Sequence, residues 1–477
     1  MKLNALLDEI KVKKIIGNLD VDIKGISCDS KTVSDEFLFI CLNGNNFDGH
    51  KFVRQAKDYG AIAILSEREV ETSLIQIIVD DTREAMSIIS SNFYGNPSRK
   101  MKMIGVTGTN GKTTTVNLIK TVLDKAGINC GVIGTLGAYY NDKKVESSLT
   151  TPDPIMLHKI LNEMYLGGVK AVVMEVSAHA LDLKKVHGIT YEIGIFTNLT
   201  QDHLDYFSTM EEYKNAKLKL FDKKCKYLIS NSDDETGRKI ANDYAGVITY
   251  GIDNPADVFA MEVKIEDGKT KCLLNIFDAV YEFETSLIGE FNIRNILATM
   301  TATALMGVKT DLIVETLSKV KGVSGRLEKV YDKDFSVYID YAHTPDGLSS
   351  VLGAIRKACK GRLICLFGCG GNRDTKKREI MGEISGKLAD FTIITSDNPR
   401  FEEPMEIISM IEKGVLKHTK NFVIVEDRKK ATEYALKIAK LGDIILIAGK
   451  GAENYQEILG IKHPYNDKDT VSEILGK

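Results

Sequence analysis

The sequence predicts an α/β protein of three domains, and three observations carry that prediction. A glycine-rich loop ending in Gly-Lys-Thr stands between a short apolar run and an amphipathic one. Short apolar runs alternate with helical stretches through the middle and the last third of the chain. Turn-forming clusters, Gly95-Asn-Pro-Ser98 and Gly322-Val-Ser-Gly325, divide the whole. The expected architecture is a small N-terminal α/β domain over 1–98, a central phosphate-loop domain with a parallel sheet over 99–323, and a C-terminal Rossmann-like α/β domain over 324–477.

The loop is Gly105-Val-Thr-Gly-Thr-Asn-Gly-Lys-Thr-Thr-Thr115, after the apolar run 101–104 and before the amphipathic run 116–126. That order reads as strand, loop, helix. Backbone N–H groups there converge at a helix N-terminus, where the dipole favours phosphate oxygens. Lys112 reaches terminal phosphates and Thr113 offers a hydroxyl to Mg²⁺, so the loop predicts ATP or GTP chemistry. Val106 stands where the general pattern has its first glycine, which leaves Gly108-Thr-Asn-Gly-Lys-Thr113 as a variant core.

Composition bounds the rest. At 43% hydrophobic and 27% charged residues, the chain resembles ordinary globular proteins. A net charge of −3 supplies no global field for nucleic acid or an anionic membrane, so an anionic substrate must be gripped by local charges. Apolar stretches such as 444–448 are far too short to cross a bilayer, and the N-terminus lacks a signal-peptide pattern. A cytoplasmic protein without membrane insertion is expected, with a monomer as its state. Eight cysteines without CxxC spacing read as reduced, mostly buried thiols, and Cys369, in a glycine turn, as a packing or turn residue.

In the first domain, 36–41, 61–65 and 75–79 read as strands, and 50–59 and 83–93 as helices. In the second, strands are expected at 171–175, 193–196, 227–229 and 247–250, hairpins over 257–288 and a helix over 292–305. The third has strand-like runs at 335–340, 363–367, 391–395, 422–425 and 443–448. In such open sheets, ligands sit at the carboxyl ends of the strands.

Gly108-Thr-Asn-Gly-Lys-Thr113, Glu175-Val-Ser-Ala-His179, Thr197-Asn-Leu-Thr-Gln-Asp-His-Leu-Asp205, Gly289-Glu-Phe-Asn-Ile-Arg-Asn295, Gly325-Arg326 and Asp340-Tyr-Ala-His-Thr-Pro-Asp346 follow in that order. This series resembles the Mur ligases, the ATP-dependent amino-acid ligases of peptidoglycan precursor synthesis, through all three domains. Within them it looks most like the enzymes that add the third stem-peptide residue to UDP-MurNAc-L-Ala-D-Glu. The resemblance implies amide formation: ATP phosphorylates a carboxylate, an amine attacks the acyl phosphate, and phosphate leaves. Bringing two anions together calls for Mg²⁺ and cationic side chains.

The same resemblance implies roles. Gly108, Thr109, Asn110, Gly111, Lys112, Thr113 and Thr114 would cradle ATP. Asn292 and Asn295, three apart on one helical face, would lie at its base. Arg326, Asp340 and His343 would come from the third domain, Asp340 at the ribose. Thr113, Glu175, His203 and a carbamylated Lys217 (N6-carboxylysine) would hold Mg²⁺, with Lys112, Glu175, His203 and Lys217 catalytic. Taken alone, Glu175 reads as a solvated strand end, His203 as a helix-start histidine, Asp202 and Asp205 as helix caps, Lys217 as one of several surface lysines, and Arg326 as a hinge ion pair. Ser30, Asn45, Thr150, Thr151, Ser177, Lys185 and Lys217 would grip the UDP-MurNAc-dipeptide. Ala178 and Lys185 replace the family's usual Ser and Arg, and Lys loses the bidentate fork.

The added amino acid is signalled by Asp397-Asn-Pro-Arg400, after the strand-like run 391–395. Relatives that add meso-diaminopimelate carry this loop. Arg400 would bind the carboxylate that lysine lacks, with Arg373 assisting, Glu453 taking the distal ammonium, and Asp397, Asn398, Pro399 and Gly449 shaping the pocket. An unpaired Arg would make discrimination against lysine approach about 10⁴. Asn372, Ala452 and Asn454 stand where the family usually has Asp, His and Asp, which keeps L-lysine or a thioether diamino diacid open as the substrate. Other ligases of the group, adding D-Ala-D-Ala, L-Ala or glutamate to folate, lack the Asp-Asn-Pro-Arg signal or the N-terminal domain. A phosphate-loop switch needs no amine-binding cluster of Arg373, Arg400 and Glu453.

Overall fold

The computed structural model describes residues 1–44, 47–147, 149–222, 225–266 and 268–476. The chain forms two compact units, one of 1–107, 127–195 and 215–228, the other of 108–126, 196–214 and 229–477.

The first unit opens with a five-stranded sheet in the order Val12–Ile16, Ile75–Val79, Ala61–Ser66, Phe37–Ile40, Gly25–Ser27. Its first pair is antiparallel and the others are parallel. Leu38, Ile40, Ala63, Leu65, Ile77 and Val79 form one buried face with Ile89 of the helix Thr82–Phe93. Asp81 caps that helix by accepting from the N–H groups of Arg83 and Glu84. The edge strands Val12–Ile16 and Gly25–Ser27 were not foreseen. Lys13 and Lys14 break any alternation in the former, and the latter is only three residues long. The same unit holds parallel pairs of Ala171–Glu175 with Lys102–Thr107 and with Cys130–Gly134, extended by antiparallel Gly137–Tyr140 and Lys143–Val145.

In the second unit the helix Lys112–Lys125 packs against Glu290–Leu305. The hairpin expectation holds: Val258–Glu266, Lys269–Ile276 and Ala279–Thr285 form an antiparallel meander. A six-stranded sheet follows, ordered Glu328–Asp332, Ser336–Asp340, Ile444–Ala448, Leu363–Phe367, Phe391–Ile394, Phe422–Ile424, parallel except at its first pair. Its strands read as continuous apolar runs because both faces are covered. Leu363, Cys365, Phe367 and Leu446 pack under Leu352, Met381 and Ile411 on one side. Val337, Ile364, Leu366 and Ile445 pack under Ala431 and Ala435 on the other. The carboxyl ends of the five parallel strands therefore lie at one edge, where the loops 341–344, 368–375, 395–403 and 449–454 meet. The hairpin Tyr455–Ile458 with Ile461–Pro464 was also unforeseen, its residues being mostly polar or exposed.

All eight cysteines are free thiols, five of them buried. Cys369 packs its Sγ against Met381 Sδ at 3.8 Å, and burial pushes its thiol up to about 12, as expected for a packing residue. Among the described residues, no helix is long and apolar enough to cross a membrane.

Candidate active site

The phosphate loop is held by its neighbours through side chains that the sequence reading had not singled out. Thr197 Oγ1 and Asn198 Nδ2 donate to the Asn110 carbonyl at 2.6 and 3.1 Å. Asn110 N donates to Asn198 Oδ1 at 2.9 Å, and Asn110 Nδ2 to Asp346 Oδ2 at 3.2 Å. Gly108 explains why a glycine is needed here: its φ is +149°, and a Cβ would lie 1.9 Å from Thr197 Oγ1. The helix then begins at Lys112, N-capped by left-handed Gly111, so its first N–H groups are aimed into the loop. Lys112 Nζ lies over the loop, donating to the carbonyls of Gly108 at 2.7 Å and Thr109 at 2.8 Å.

Thr113 and Thr114 are buried in the first turn. Arg326 Nη2 donates to Thr113 Oγ1 at 2.8 Å, and the guanidinium stacks over the Tyr341 ring at 4.3 Å. This gives Arg326 a place at the loop. Asn292 and Asn295 are both buried on one helical face, with Asn295 Nδ2 3.5 Å from Asn292 Oδ1. Thr115 Oγ1 donates to Asn295 Oδ1 at 3.4 Å.

Asp340 was expected at the ribose. In the structure its oxygens accept from Leu327 N and Ala342 N, each at 2.6 Å, so it organises its own loop. Burial raises its carboxyl above the usual range despite the charge of Arg326. His203, at φ +55°, lies in a turn before the helix Met210–Leu218. Thr209 Oγ1 accepts from Glu212 N in that helix, the capping role expected of Asp202 and Asp205. Asp202 instead stands 3.4 Å from His203 Nε2 and 3.8 Å from His343 Nε2. Burial opposes its ionisation, but His343, His203 and Lys377 outweigh that and hold it below the ordinary carboxylate range.

In the other unit, Glu175 ends its strand buried rather than solvated. Its Oε1 accepts from Thr135 N at 2.8 Å and its Oε2 from Thr135 Oγ1 at 3.2 Å. Thr135 Oγ1 lies 3.1 Å from Thr150 Oγ1, and Thr151 Oγ1 donates to the Glu175 carbonyl at 2.9 Å. Ser177 caps the short helix Ala178–Asp182, and Lys185 pairs with Asp153 at 2.8 Å. Ser30 Oγ donates to Gln55 Oε1 at 2.8 Å, while Asn45 lies outside the described residues. Lys217 corrects the surface-lysine reading: it is 2% exposed, in a helix whose other lysine, Lys214, faces outward enough to pair with Glu211. Among the described residues no three His, Cys, Asp or Glu side chains form a group that could hold a metal ion.

Loops 368–375, 395–403 and 449–454 bring several ion pairs together at the edge of the six-stranded sheet. Lys450, fully buried, contacts Glu453 Oε2 at 2.9 Å, Asn398 Oδ1 at 3.0 Å and Asp397 Oδ1 at 3.4 Å. Asn398 Nδ2 donates to Glu453 Oε2 at 3.1 Å. Burial would raise Asp397, but Lys450 and Arg428 hold its carboxyl low. Gly449 donates its N–H to the Asp340 carbonyl at 3.1 Å. Arg400, at φ +53°, donates from Nε to Glu457 Oε2 at 3.1 Å and from Nη1 to the Gly371 carbonyl at 2.8 Å. Gly371 is there because its Cβ would sit 1.9 Å from the Pro399 oxygen. Arg378, buried, clamps the same two loops with a bidentate pair to Glu402 at 2.8 and 2.9 Å and a bond to the Gly370 carbonyl at 3.2 Å. Arg373 is half exposed, 3.7 Å from Asp205. Lys450, Arg378 and Glu457 were missed. Lys450 lies between Gly449 and Glu453, both named from the sequence, but no local spacing marks the other two.

A phosphate loop, and charged loops at the carboxyl edge of an open α/β sheet, suit an enzyme that works on a nucleotide. The comparisons agree: the Mur ligase middle domain matches residues 106–303, the Mur ligase glutamate ligase domain 325–451, and the Mur ligase family catalytic domain 22–94. The chain belongs to the Mur ligase family. It is 44% identical over 487 residues to UDP-N-acetylmuramoyl-L-alanyl-D-glutamate–2,6-diaminopimelate ligase 1 of Clostridium acetobutylicum, covering 100% of this chain and 99% of that one. It is likewise 44% identical over 457 residues to the ligase of that name from Aquifex aeolicus, covering 95% and 94%. A solved structure of a ligase of that name superposes with a TM-score of 0.72 at 29% identity, covering 100% of this chain and 99% of that chain. The expected α/β fold class of this family is thus met along the whole chain.

Proposed function

We propose that the protein joins meso-2,6-diaminopimelate to UDP-MurNAc-L-Ala-D-Glu at the expense of ATP, in the cytoplasm, as a step of peptidoglycan precursor synthesis. The observation that carries this reading is Arg400, a guanidinium built into the loop Asp397-Asn-Pro-Arg400 and aimed by two protein contacts, in a chain with the full-length relatives just described. An acceptor with a second carboxylate is what such a guanidinium selects.

In this reading the phosphate loop binds ATP. Gly108 to Thr114 present backbone N–H groups, and Lys112 swings from its loop carbonyls to the terminal phosphates. Asn292 and Asn295 sit below the base, and Arg326 meets the phosphates from beside Thr113. His343 and Asp340 complete that side, the latter by holding its loop. The donors suit magnesium, a hard cation that keeps water and phosphate ligands: a Thr113 hydroxyl, the buried Glu175, His203 and, when carboxylated, Lys217. Bound magnesium neutralises phosphate charge. Lys217 is buried, and its amine is the group that carboxylation by CO₂ would modify. Ser30, Thr150, Thr151, Ser177 and Lys185 grip the nucleotide-sugar peptide. Arg373, Asp397, Asn398, Pro399, Arg400, Gly449 and Glu453 orient the amine donor so that its free amine attacks the acyl phosphate.

An amino-acid panel with UDP-MurNAc-L-Ala-D-Glu and ATP–Mg²⁺, read as phosphate release, tests the reading. Release with diaminopimelate and not with lysine supports it. Release without any amino acid overturns it, and release with lysine or a thioether diamino diacid instead moves the substrate to that acceptor.

A further inference from the structure

Glu457 lies on the strand Tyr455–Ile458 of the small hairpin, opposite Lys462. The Arg400 backbone is stitched to that strand: Arg400 N donates to the Glu457 carbonyl at 3.0 Å, and Leu459 N to the Arg400 carbonyl at 2.7 Å. These bonds form an isolated parallel bridge between Arg400 and Ile458. They hold Arg400 in a left-handed conformation that a non-glycine residue keeps only when its surroundings impose it. The two side chains are 19% and 22% exposed, so their ion pair is only partly screened by water.

An arginine that selects a carboxylate gains most when it has no other partner. Arg400 has two: Glu457 takes Nε and the Gly371 carbonyl takes Nη1, and neither contact uses Nη2. Lysine can therefore bind without leaving Arg400 unsatisfied, while the second carboxylate of diaminopimelate must share the guanidinium with a resident anion. The large discrimination expected from sequence supposed an otherwise unpaired Arg400, and the structure removes that premise.

We infer that Glu457 is a specificity-determining positioning residue: it aims Arg400 and, by competing for its charge, weakens the preference for an acceptor amino acid with a second carboxylate. This inference rests on the proposed function. It deepens it by assigning the degree of acceptor selectivity to a residue outside the Asp-Asn-Pro-Arg loop.

The test is steady-state kinetics of the full chain with diaminopimelate and L-lysine as acceptors. Glu457→Gln keeps an oxygen for Arg400 Nε and removes the charge. It is expected to raise the diaminopimelate-to-lysine ratio of kcat/KM about tenfold, through a lower KM for diaminopimelate, with kcat and the KM for ATP within about twofold of wild type. In an Arg400→Ala background the same substitution is expected to leave the ratio unchanged, because Glu457 acts through Arg400. A ratio that stays or falls in Glu457→Gln overturns the inference, as does a gain that persists without Arg400. If Arg400→Ala alone leaves the wild-type ratio intact, the parent reading fails instead, so the two failures are distinguishable.

Discussion

The phosphate loop and the acceptor loops solve opposite problems in one compact unit. The phosphate loop receives an anion, and it does so with backbone: a left-handed Gly108, a helix start at Lys112, and the neutral clamps Thr197 and Asn198. In the proposed reading the acceptor loops, 368–375, 395–403 and 449–454, receive an amino acid that carries both charges, and their ionised side chains are already paired in the protein. Lys450 is shared among Asp397, Asn398 and Glu453, Arg378 is bound to Glu402, and Arg400 to Glu457. A backbone site is rigid because the chain geometry leaves no alternative. A site of paired ions is rigid only while each charge keeps its partner.

The comparison breaks first at Lys112, the one cation of the phosphate loop. Lys112→Ala is expected to lower turnover about a thousandfold while leaving the melting temperature near wild type. Turnover close to wild type would remove this loop from the chemistry. The second break is on the acceptor side, where Arg428 and Asp467 form a wholly buried pair, bonded at 2.9 Å through both Nε and Nη2, with Nη2 also donating to the Ala448 carbonyl at 2.9 Å. Arg428→Met strands the Asp467 carboxylate and should cost about 3–5 kcal/mol of unfolding free energy in urea titration. Adding Asp467→Leu should restore much of that loss. If the single variant unfolds like wild type, the buried pairs do not hold this edge together.

Arg400→Ala should act on binding more than on folding. It is expected to raise the KM for diaminopimelate by about 1.5–3 kcal/mol, or ten- to a hundredfold, with kcat little changed. An unchanged KM would place Arg400 outside the acceptor pocket.

The smallest effect sharpens the contrast from the other unit. His158 is fully buried with neither ring nitrogen bonded, and burial lowers its pKa to about 3. Unlike the acceptor-side charges it has no counterion, so it must stay neutral. The unfolded chain takes up its proton near the ordinary histidine value, 6.5, while the fold resists until about 3. Stability from this group is therefore whole above pH 6.5 and is lost as pH falls through that window, at about 1.4 kcal/mol per unit. His158→Leu should flatten this acid limb, so that the variant gains on wild type by roughly 2 kcal/mol between pH 7 and 5 in paired urea titrations. Parallel pH profiles would contradict the burial of an unpaired imidazole.

Much of the fold was legible because its signals are local. The apolar runs of the third sheet are strands covered on both faces, and the Gly-Lys-Thr loop falls at a helix start as its spacing requires. The edge strand Val12–Ile16 and the hairpin Tyr455–Ile458 with Ile461–Pro464 escaped notice because their partners, rather than any hydrophobic period, make them strands. The candidate site divides the same way. Arg400 was legible in Asp397-Asn-Pro-Arg400, but Glu457, fifty-seven residues further on, carries no mark of its role. Lys217 read as one of a solvated run until the structure buried it.

The sequence alone placed the groups of the proposed site in order along the chain: a glycine-rich Gly-Lys-Thr loop, a strand-end carboxylate at Glu175, and an Asp-Asn-Pro-Arg loop. Each of these depends on neighbouring residues whose backbone geometry is local. Only the tertiary structure decided which charges are neutralised before a substrate arrives, at Lys450, Arg378 and above all Arg400. Coulombic pairing depends on distance and burial, and neither is written in the spacing of residues along a chain.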